Sequence, residues 1–192
     1  MGIRSIQKEQ RRQQILFCCL DLFVHKGYNG TTVRDIAQKV GMSVGLLFHY
    51  FPTKQAILEE LLKFAQSGVS SVLELMNQPI SPIECFEQIA NEIFKSFRES
   101  PISASIFMLV NQTITSDWAP ESVKNAVQSL SAIEQTVPII VKGQQLGCIK
   151  QGDPVALSMA FWSSIQGVAE GLACFPNLPV PESSWIVDIV RL

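Results

Sequence analysis

Residues 44–51 carry side chains that a helix would divide between a buried side and a binding side. Val44, Leu47 and Phe51 recur at i, i+3 and i+7 and form an inward stripe. The opposite side carries aromatic rings and a hydrogen-bonding group that core packing does not explain. Its residues are Gly45, Phe48 and His49, flanked by Leu46 and Tyr50. The first turn of such a helix also has unpaired backbone N–H groups, which favour a phosphate. The stretch therefore predicts an exposed helix that meets an anion.

The same region offers a catalytic alternative, because residues 41–45, GMSVG, match the G-x-S-x-G pattern around a hydrolase nucleophile. That nucleophile follows a buried strand, whereas residues 31–40 have the apolar spacing of a helix. The triad order also needs a histidine well after the serine and the acid, and no histidine follows residue 49. A zinc site is equally short of ligands. We expect no enzyme activity, no metal and no cofactor.

Basic residues are concentrated at the start of the chain. Residues 1–54 contain eight Lys/Arg and three Asp/Glu, a net charge of +5, whereas the remaining residues carry −7. A basic head on an acidic body predicts that only the head meets a polyanion. The hydrophobic content of 47% beside only 17% charged residues indicates a folded chain with a large apolar interface, such as a dimer seam.

The five cysteines, at 18, 19, 85, 148 and 174, are odd in number and include no CxxC pair. This pattern favours buried, reduced thiols over disulfides or metal ligands, with a redox sensor as the alternative. The start of the chain lacks the apolar core of a signal peptide, and no apolar run is long enough to span a bilayer. We therefore expect a soluble, cytoplasmic protein that does not enter a membrane.

Glycine and proline divide the first fifty residues into three predicted helices. Apolar spacing predicts the first over about residues 7–26. A capping-box pattern at Thr32 begins the second, which Gly41 ends. Ser43 is a suitable cap for the third, which must end before Pro52. A helix, a glycine-containing turn and a second helix with an exposed face predict a helix-turn-helix, whose third helix enters the DNA major groove.

The remaining residues also favour helices. Their predicted starts are Pro52, Ser81-Pro82, Ser100-Pro101, Pro120 (with a kink at Pro138), Pro154 and Trp185. The predicted fold class is all-α, with an N-terminal three-helix helix-turn-helix domain followed by a C-terminal helical bundle for ligand binding and dimerisation. The predicted domains are residues 1–54, with the reading helix at about 43–51, and residues 55–192.

The run YNGTTVRDIAQKVGMSVGLLFHYFPTKQAIL, residues 28–58, resembles the DNA-binding signature of TetR-family transcriptional regulators. The match is continuous over about thirty residues and therefore specific. The resemblance implies contacts with double-stranded DNA. Phosphates would be bound by Thr31 or Thr32, Tyr50 and Lys54, and bases by Ser43, Val44, Gly45 and Leu46. Arg34 and His49 would contact either phosphates or bases.

Two positions depart from the family pattern. Phe48 stands where the family usually has tyrosine, which removes one hydroxyl that would face a phosphate. Val44 and Leu46 are aliphatic where polar residues would read bases. Contacts with thymine methyl groups and readout of DNA shape should therefore contribute more to sequence recognition in this chain than the family pattern implies.

The resemblance also implies a C-terminal domain that binds a small effector and forms a homodimer. Ser163, Gly167 and Gly171 recur every four residues and would form a smooth strip against another helix. Packing within one chain is the alternative for this strip. Pairing about a two-fold axis would set two reading heads about 34–36 Å apart on a palindromic operator.

The effector is expected to be apolar, since the body is rich in large apolar side chains. The predicted pocket residues are Phe86, Phe94, Phe107, Met108, Trp118, Phe161 and Trp162. The predicted function is a ligand-responsive, DNA-binding transcriptional regulator, a repressor that a small molecule releases from its operator. The alternative is a ligand-binding or protein-interaction module whose helix-turn-helix no longer reads DNA.

Overall fold

The computed structural model describes residues 2–121, 123–124 and 132–192, and these residues confirm the all-α fold class. The helices are α1 (Ile3–Lys26), α2 (Val33–Val40), α3 (Val44–Tyr50), α4 (Lys54–Met76), α5 (Pro82–Glu99), α6 (Pro101–Ile114), α7 (Ala132–Gln145), α8 (Pro154–Cys174) and α9 (Ser183–Val187). Of the helix predicted from Pro120, residues 122 and 125–131 lie outside the described residues. Pro138 lies inside α7.

Local capping explains why α2 and α3 are short and separate. The Thr32 side chain accepts a hydrogen bond from the Asp35 N–H, and Asp35 bonds back to the Thr32 N–H, which completes the predicted capping box. Gly41 ends α2 in the left-handed region, with φ 70°. The Ser43 hydroxyl accepts from the Leu46 N–H at 3.2 Å and starts α3. The turn between these caps is short enough to hold α2 and α3 as one unit.

Buried apolar side chains form two clusters. The first, called the head cluster, joins α1, α2 and α3 and contains Ile15, Leu16, Cys19, Leu20, Phe23, Val24, Ile36, Ala37, Val40, Leu47 and Phe51. It also includes Ile57, Leu58, Leu61 and Leu62 of α4 and Met108 and Leu109 of α6. The predicted domain boundary after residue 54 thus falls at the start of a helix that packs in the head.

The second cluster, called the body cluster, is built mainly from α5, α7, α8 and α9. Phe161 contacts both Phe86 and Trp162, with ring centroids 4.8 and 5.4 Å away. Thr136 and Ser158 share a buried hydrogen bond of 2.7 Å between α7 and α8. None of the helices among the described residues is long and apolar enough to cross a membrane.

The end of the chain differs from the sequence prediction. The expected final helix began at Trp185 and ran to the last residue, whereas α9 ends at Val187. Ile149 and Arg191 form an antiparallel bridge instead, and the Lys150 N–H donates to the Val190 carbonyl at 2.9 Å. Backbone pairing with the turn that precedes α8 therefore competes with the last helical turn.

Candidate nucleic-acid interface

Helix α3 presents the exposed face that its sequence predicts. Leu47 and Phe51 are buried in the head cluster, and Val44 is half-buried. The opposite side is exposed to solvent and carries five of the predicted DNA-binding residues: Ser43, Gly45, Leu46, Phe48 and His49. Tyr50 is half-buried at the edge of the head cluster, and its ring centroid lies 6.1 Å from that of His49. The solvent-exposed side of α3 thus carries both apolar and polar side chains.

Arg34 is an exposed cation of α2, two residues after the cap of that helix. A guanidinium in this place suits a phosphate or a guanine edge, since it donates several hydrogen bonds in one plane. Arg34 and the exposed face of α3 lie on neighbouring short helices of one helix-turn-helix. We call Arg34 together with Ser43, Gly45, Leu46, Phe48 and His49 the reading face.

The two threonines predicted to bind phosphate are engaged within the head. Thr31 is 1% exposed, and its hydroxyl donates to carbonyls of α1 and of the loop that follows, those of Leu22 and Gly27. The Thr32 hydroxyl and N–H both donate to Asp35 Oδ2, at 2.8 and 2.7 Å. Both hydroxyls therefore donate to groups of the head itself, on α1, on the loop after it and on α2. Their phosphate contacts stay predictions.

The carboxylate of Asp35 holds this loop to α1 as well as to α2. Lys26 donates to Asp35 Oδ2 at 2.7 Å. The hydrogen bond from Lys26, followed by those from Thr32, holds the pKa of Asp35 well below its ordinary value. Asp35 therefore stays ionised at neutral pH and fixes where α2 begins.

Lys54 was also expected to neutralise a phosphate, and the structure turns its ammonium into the fold. Nζ donates to the carbonyls of Tyr28 and Thr31, at 2.6 and 2.9 Å, and lies 4.0 Å from the centroid of the Tyr28 ring. Burial lowers the pKa of Lys54. Lys54 thus joins the start of α4 to the loop before α2. Its phosphate contact stays a prediction.

Two neighbouring arginines of α1 hold the ends of the helix-turn-helix, a role that the sequence did not reveal. Arg11 Nη2 donates to the carbonyl of Val40, the last residue of α2, at 3.3 Å. Arg12 Nη1 donates to the carbonyl of Tyr50, the last residue of α3, at 2.9 Å. Cations at these positions satisfy carbonyls that have no partner within their own helix, and they also favour the negative end of the helix dipole.

Arg12 makes two further contacts that tie α3 to α4. Its Nη2 forms an ion pair with Glu60 of α4 at 2.9 Å. Its guanidinium carbon also lies 4.3 Å from the centroid of the Phe51 ring. Arg12 therefore connects α1, the end of α3 and α4 through a single half-buried side chain.

We expect Arg12→Ala to lower the free energy of unfolding by about 2 kcal/mol, because it leaves Glu60 and the Tyr50 carbonyl without a partner. Chemical denaturation of the wild type and the variant measures this difference. Lys8→Ala is the matched control, since it removes the same charge from an exposed position of the same helix. Equal stability of the two variants would contradict the proposed contacts of Arg12.

The cysteines show little thiolate character where the structure buries them. Burial raises the pKa of Cys19 to about 12 and raises that of Cys18 and of Cys85. All five thiols are free, and Cys174 is exposed. Among the described residues, no group of three or more His, Cys, Asp or Glu side chains is placed to hold a metal.

The seven predicted pocket residues are divided between the two clusters. Phe86, Phe94, Phe107, Phe161 and Trp162 belong to or pack against the body cluster, whereas Met108 and Trp118 belong to the head cluster or its edge. Phe86, Phe94 and Phe161 are fully buried. Their role in binding an effector stays a prediction, divided between these two clusters. An open cleft of about 400 Å³ lies elsewhere, between α4 and α5, and its lining is mostly polar: Glu74, Leu75, Gln78, Gln88, Asn91 and Glu92.

Two of the three predicted dimer residues lie on the open side of α8, whereas Gly171 is half-buried and a methyl group added there would lie 3.9 Å from the Leu178 side chain. Ser163 and Gly167 are exposed, and a methyl group added at Gly167 would meet nothing within 4 Å. The same spacing of four continues toward the start of the helix through Met159 and Val155, each 54% exposed. We call Val155, Met159, Ser163, Gly167 and Gly171 the α8 strip. A contiguous exposed apolar patch is typical of a surface that binds another protein, and Val155 and Met159 lie one turn apart on this strip.

Comparison with known proteins agrees with this geometry. A model of the family described as "Bacterial regulatory proteins, tetR family" matches residues 19–61, which include α2 and α3. RutR, an HTH-type transcriptional regulator of Escherichia coli O157:H7, is 26% identical over 172 residues, or 88% of this chain and 78% of RutR. KstR2, an HTH-type transcriptional repressor of Mycolicibacterium smegmatis, is 33% identical over 79 residues, or 41% of this chain and 38% of the repressor.

A solved structure extends the similarity to almost the whole fold. AibR, crystallised in complex with isovaleryl coenzyme A and operator DNA, aligns with a TM-score of 0.64 at 18% identity. The alignment covers 93% of this chain and 94% of AibR. The helical body therefore has a known counterpart, as does the helix-turn-helix.

Proposed function

The chain belongs to the TetR family of DNA-binding transcriptional regulators, and from this premise we propose that it is a repressor of one operator. It binds a palindromic duplex as a homodimer, and a small molecule bound by the C-terminal body releases it. The observation that carries this proposal is the reading face. Most of its exposed side chains sit on α3, which Ser43 caps at its start. At its end, Tyr50 accepts a hydrogen bond from Arg12 of α1, which also pairs with Glu60 of α4.

The chemistry of the reading face favours a particular kind of sequence. Leu46 and Phe48 expose apolar surface that suits the methyl group of thymine. Arg34 and His49 supply hydrogen-bond donors beside it. We therefore propose half-sites in which thymine methyls contribute to recognition together with hydrogen bonds to bases or phosphates.

Two observations support the dimer and the repressor. The α8 strip offers an apolar surface with room for a second helix, as the two-fold pairing of α8 requires. KstR2 is named as a repressor, and AibR was crystallised with both a small molecule and operator DNA. A body of similar fold in this chain supports a small-molecule effector, for which we propose an apolar compound.

Selection of bound sequences from a random duplex pool tests the proposal directly. We expect one enriched sequence with two inverted half-sites, whose centres lie about 10 base pairs apart or a multiple of that spacing. Replacement of thymine by uracil in that sequence should weaken binding, because it removes only the methyl groups. The same duplex then serves as the probe with which apolar compounds are tested for release of the protein.

Two outcomes would contradict the proposal. A pool from which no sequence is enriched would favour a module whose helix-turn-helix no longer reads DNA. A single half-site without an inverted copy would argue against recognition by a symmetric dimer.

A further inference from the structure

Trp118 lies in the body segment after α6, yet its ring contacts the head. It is nearly parallel to the ring of Tyr28, with an angle of 16° and 4.5 Å between the ring centroids. Tyr28 belongs to the loop between α1 and α2, which sets where the helix-turn-helix begins. The contact therefore joins two parts of the chain that are 90 residues apart in the sequence.

Tyr28 is in turn the centre of a small cluster in the head. Its ring lies 5.2 Å from that of Phe23 at the end of α1, and the Lys54 ammonium lies 4.0 Å from its centroid. Lys54 also donates to the Tyr28 and Thr31 carbonyls. The side chain that Trp118 contacts thus connects α1, the loop before α2 and the first residue of α4.

Helix α6 brings Trp118 to this position and also reaches the helix that carries the α8 strip. Gln112 of α6 donates to the Val24 carbonyl of α1 at 3.5 Å, and Met108 and Leu109 pack in the head cluster. On its other side, Asn111 of α6 donates to Gln166 of α8. A change in the position of α6 would therefore alter both the Trp118–Tyr28 stack and the contacts of α6 with α8.

We propose that Trp118 is a positioning residue for DNA reading, which acts through Tyr28 on the loop before α2 and on Lys54. The inference rests on the proposed function, since it concerns recognition of an operator. Stacked aromatic pairs bias a local equilibrium by about tenfold or less. A contact of that strength holds the head in its reading orientation, yet a shift of α6 can release it. Through Trp118, the body therefore acts on the orientation of the loop that leads into α2.

The test compares Trp118→Ala with Trp118→Phe, which keeps a ring on Tyr28. Binding of the full-length protein to the selected duplex and to a random duplex is measured by fluorescence anisotropy. We expect Trp118→Ala to bind the selected duplex about tenfold more weakly, with unchanged affinity for the random duplex. Trp118→Phe should restore most of the loss. Amide hydrogen exchange in residues 28–35 should be faster in Trp118→Ala only.

Ile186→Ala is the control for simple destabilisation, because it trims a half-buried side chain of the body cluster away from the head. Equal losses for Ile186→Ala and Trp118→Ala would overturn the inference. Wild-type affinity of Trp118→Ala for the selected duplex would overturn it while leaving the proposed function intact. A wild type without preference for any duplex would overturn both.

Discussion

Replacing Gly167 by arginine should separate the protein into folded monomers and weaken operator binding at least 100-fold. A Cβ atom added at this exposed position meets nothing within 4 Å in its own subunit, so a side chain can leave the helix toward solvent there. Arginine also favours a helix more than glycine does. In the proposed dimer, the same guanidinium would be buried against a second helix. A monomer retains one reading head and loses the gain in affinity that two linked heads provide.

Light scattering after size-exclusion chromatography gives the mass of the variant, and titration of the selected duplex gives its affinity. Gln78→Arg is the matched control, because it adds the same charge at an exposed position after α4. It should remain dimeric and bind normally. A dimeric Gly167→Arg protein would show that the α8 strip is not the seam.

Replacing Leu46 by glutamate should weaken operator binding about 100-fold without loss of stability. Leu46 is 45% exposed and is the third residue of α3 after its cap, Ser43. A glutamate there completes the capping-box pattern with Ser43 and favours the positive end of the helix. On the reading face, however, its carboxylate would repel phosphates, and each head of the dimer would lose about tenfold.

Leu46→Gln is the control, since it has the same shape as the glutamate variant without the charge. We expect a loss of less than tenfold for Leu46→Gln and thermal unfolding of both variants at or above the temperature of the wild type. Duplex titration and thermal denaturation measure these quantities. Equal affinity of the glutamate variant and the wild type would show that α3 does not face DNA.

The sequence predicted those features that depend on neighbouring residues. The cap at Thr32, the left-handed glycine at Gly41 and the cap at Ser43 act within one turn, so they located α2 and α3 correctly. The period of the helix likewise placed Leu47 in the core and His49 in solvent. Local chemistry was thus sufficient for α2 and α3 and for the orientation of the reading helix, but not for the last helix, which pairing with Ile149 and Lys150 shortens.

Contacts between distant residues could not be predicted in this way. Arg12 reaches a carbonyl 38 residues away, and only the packing of α1 against α3 creates that approach. The inward turn of Lys54 depends on the position of the Tyr28 ring. For the same reason, apolar character alone could not separate Trp118, beside the head, from Phe161, deep in the body. The sequence showed which side chains are apolar but not which cluster each would join.

The internal bonds of the basic residues bear on how the protein responds to ionic strength. Of the eight Lys/Arg in residues 1–54, five are held by partners within the chain: Arg11, Arg12, Lys26, Lys39 and Lys54. Only cations that reach phosphates displace counterions from DNA, and each contributes about 0.9 to the slope of log affinity against log salt. Each head therefore releases fewer ions on binding than its +5 charge suggests. Its affinity for an operator should accordingly fall less steeply with salt concentration than that charge alone would predict.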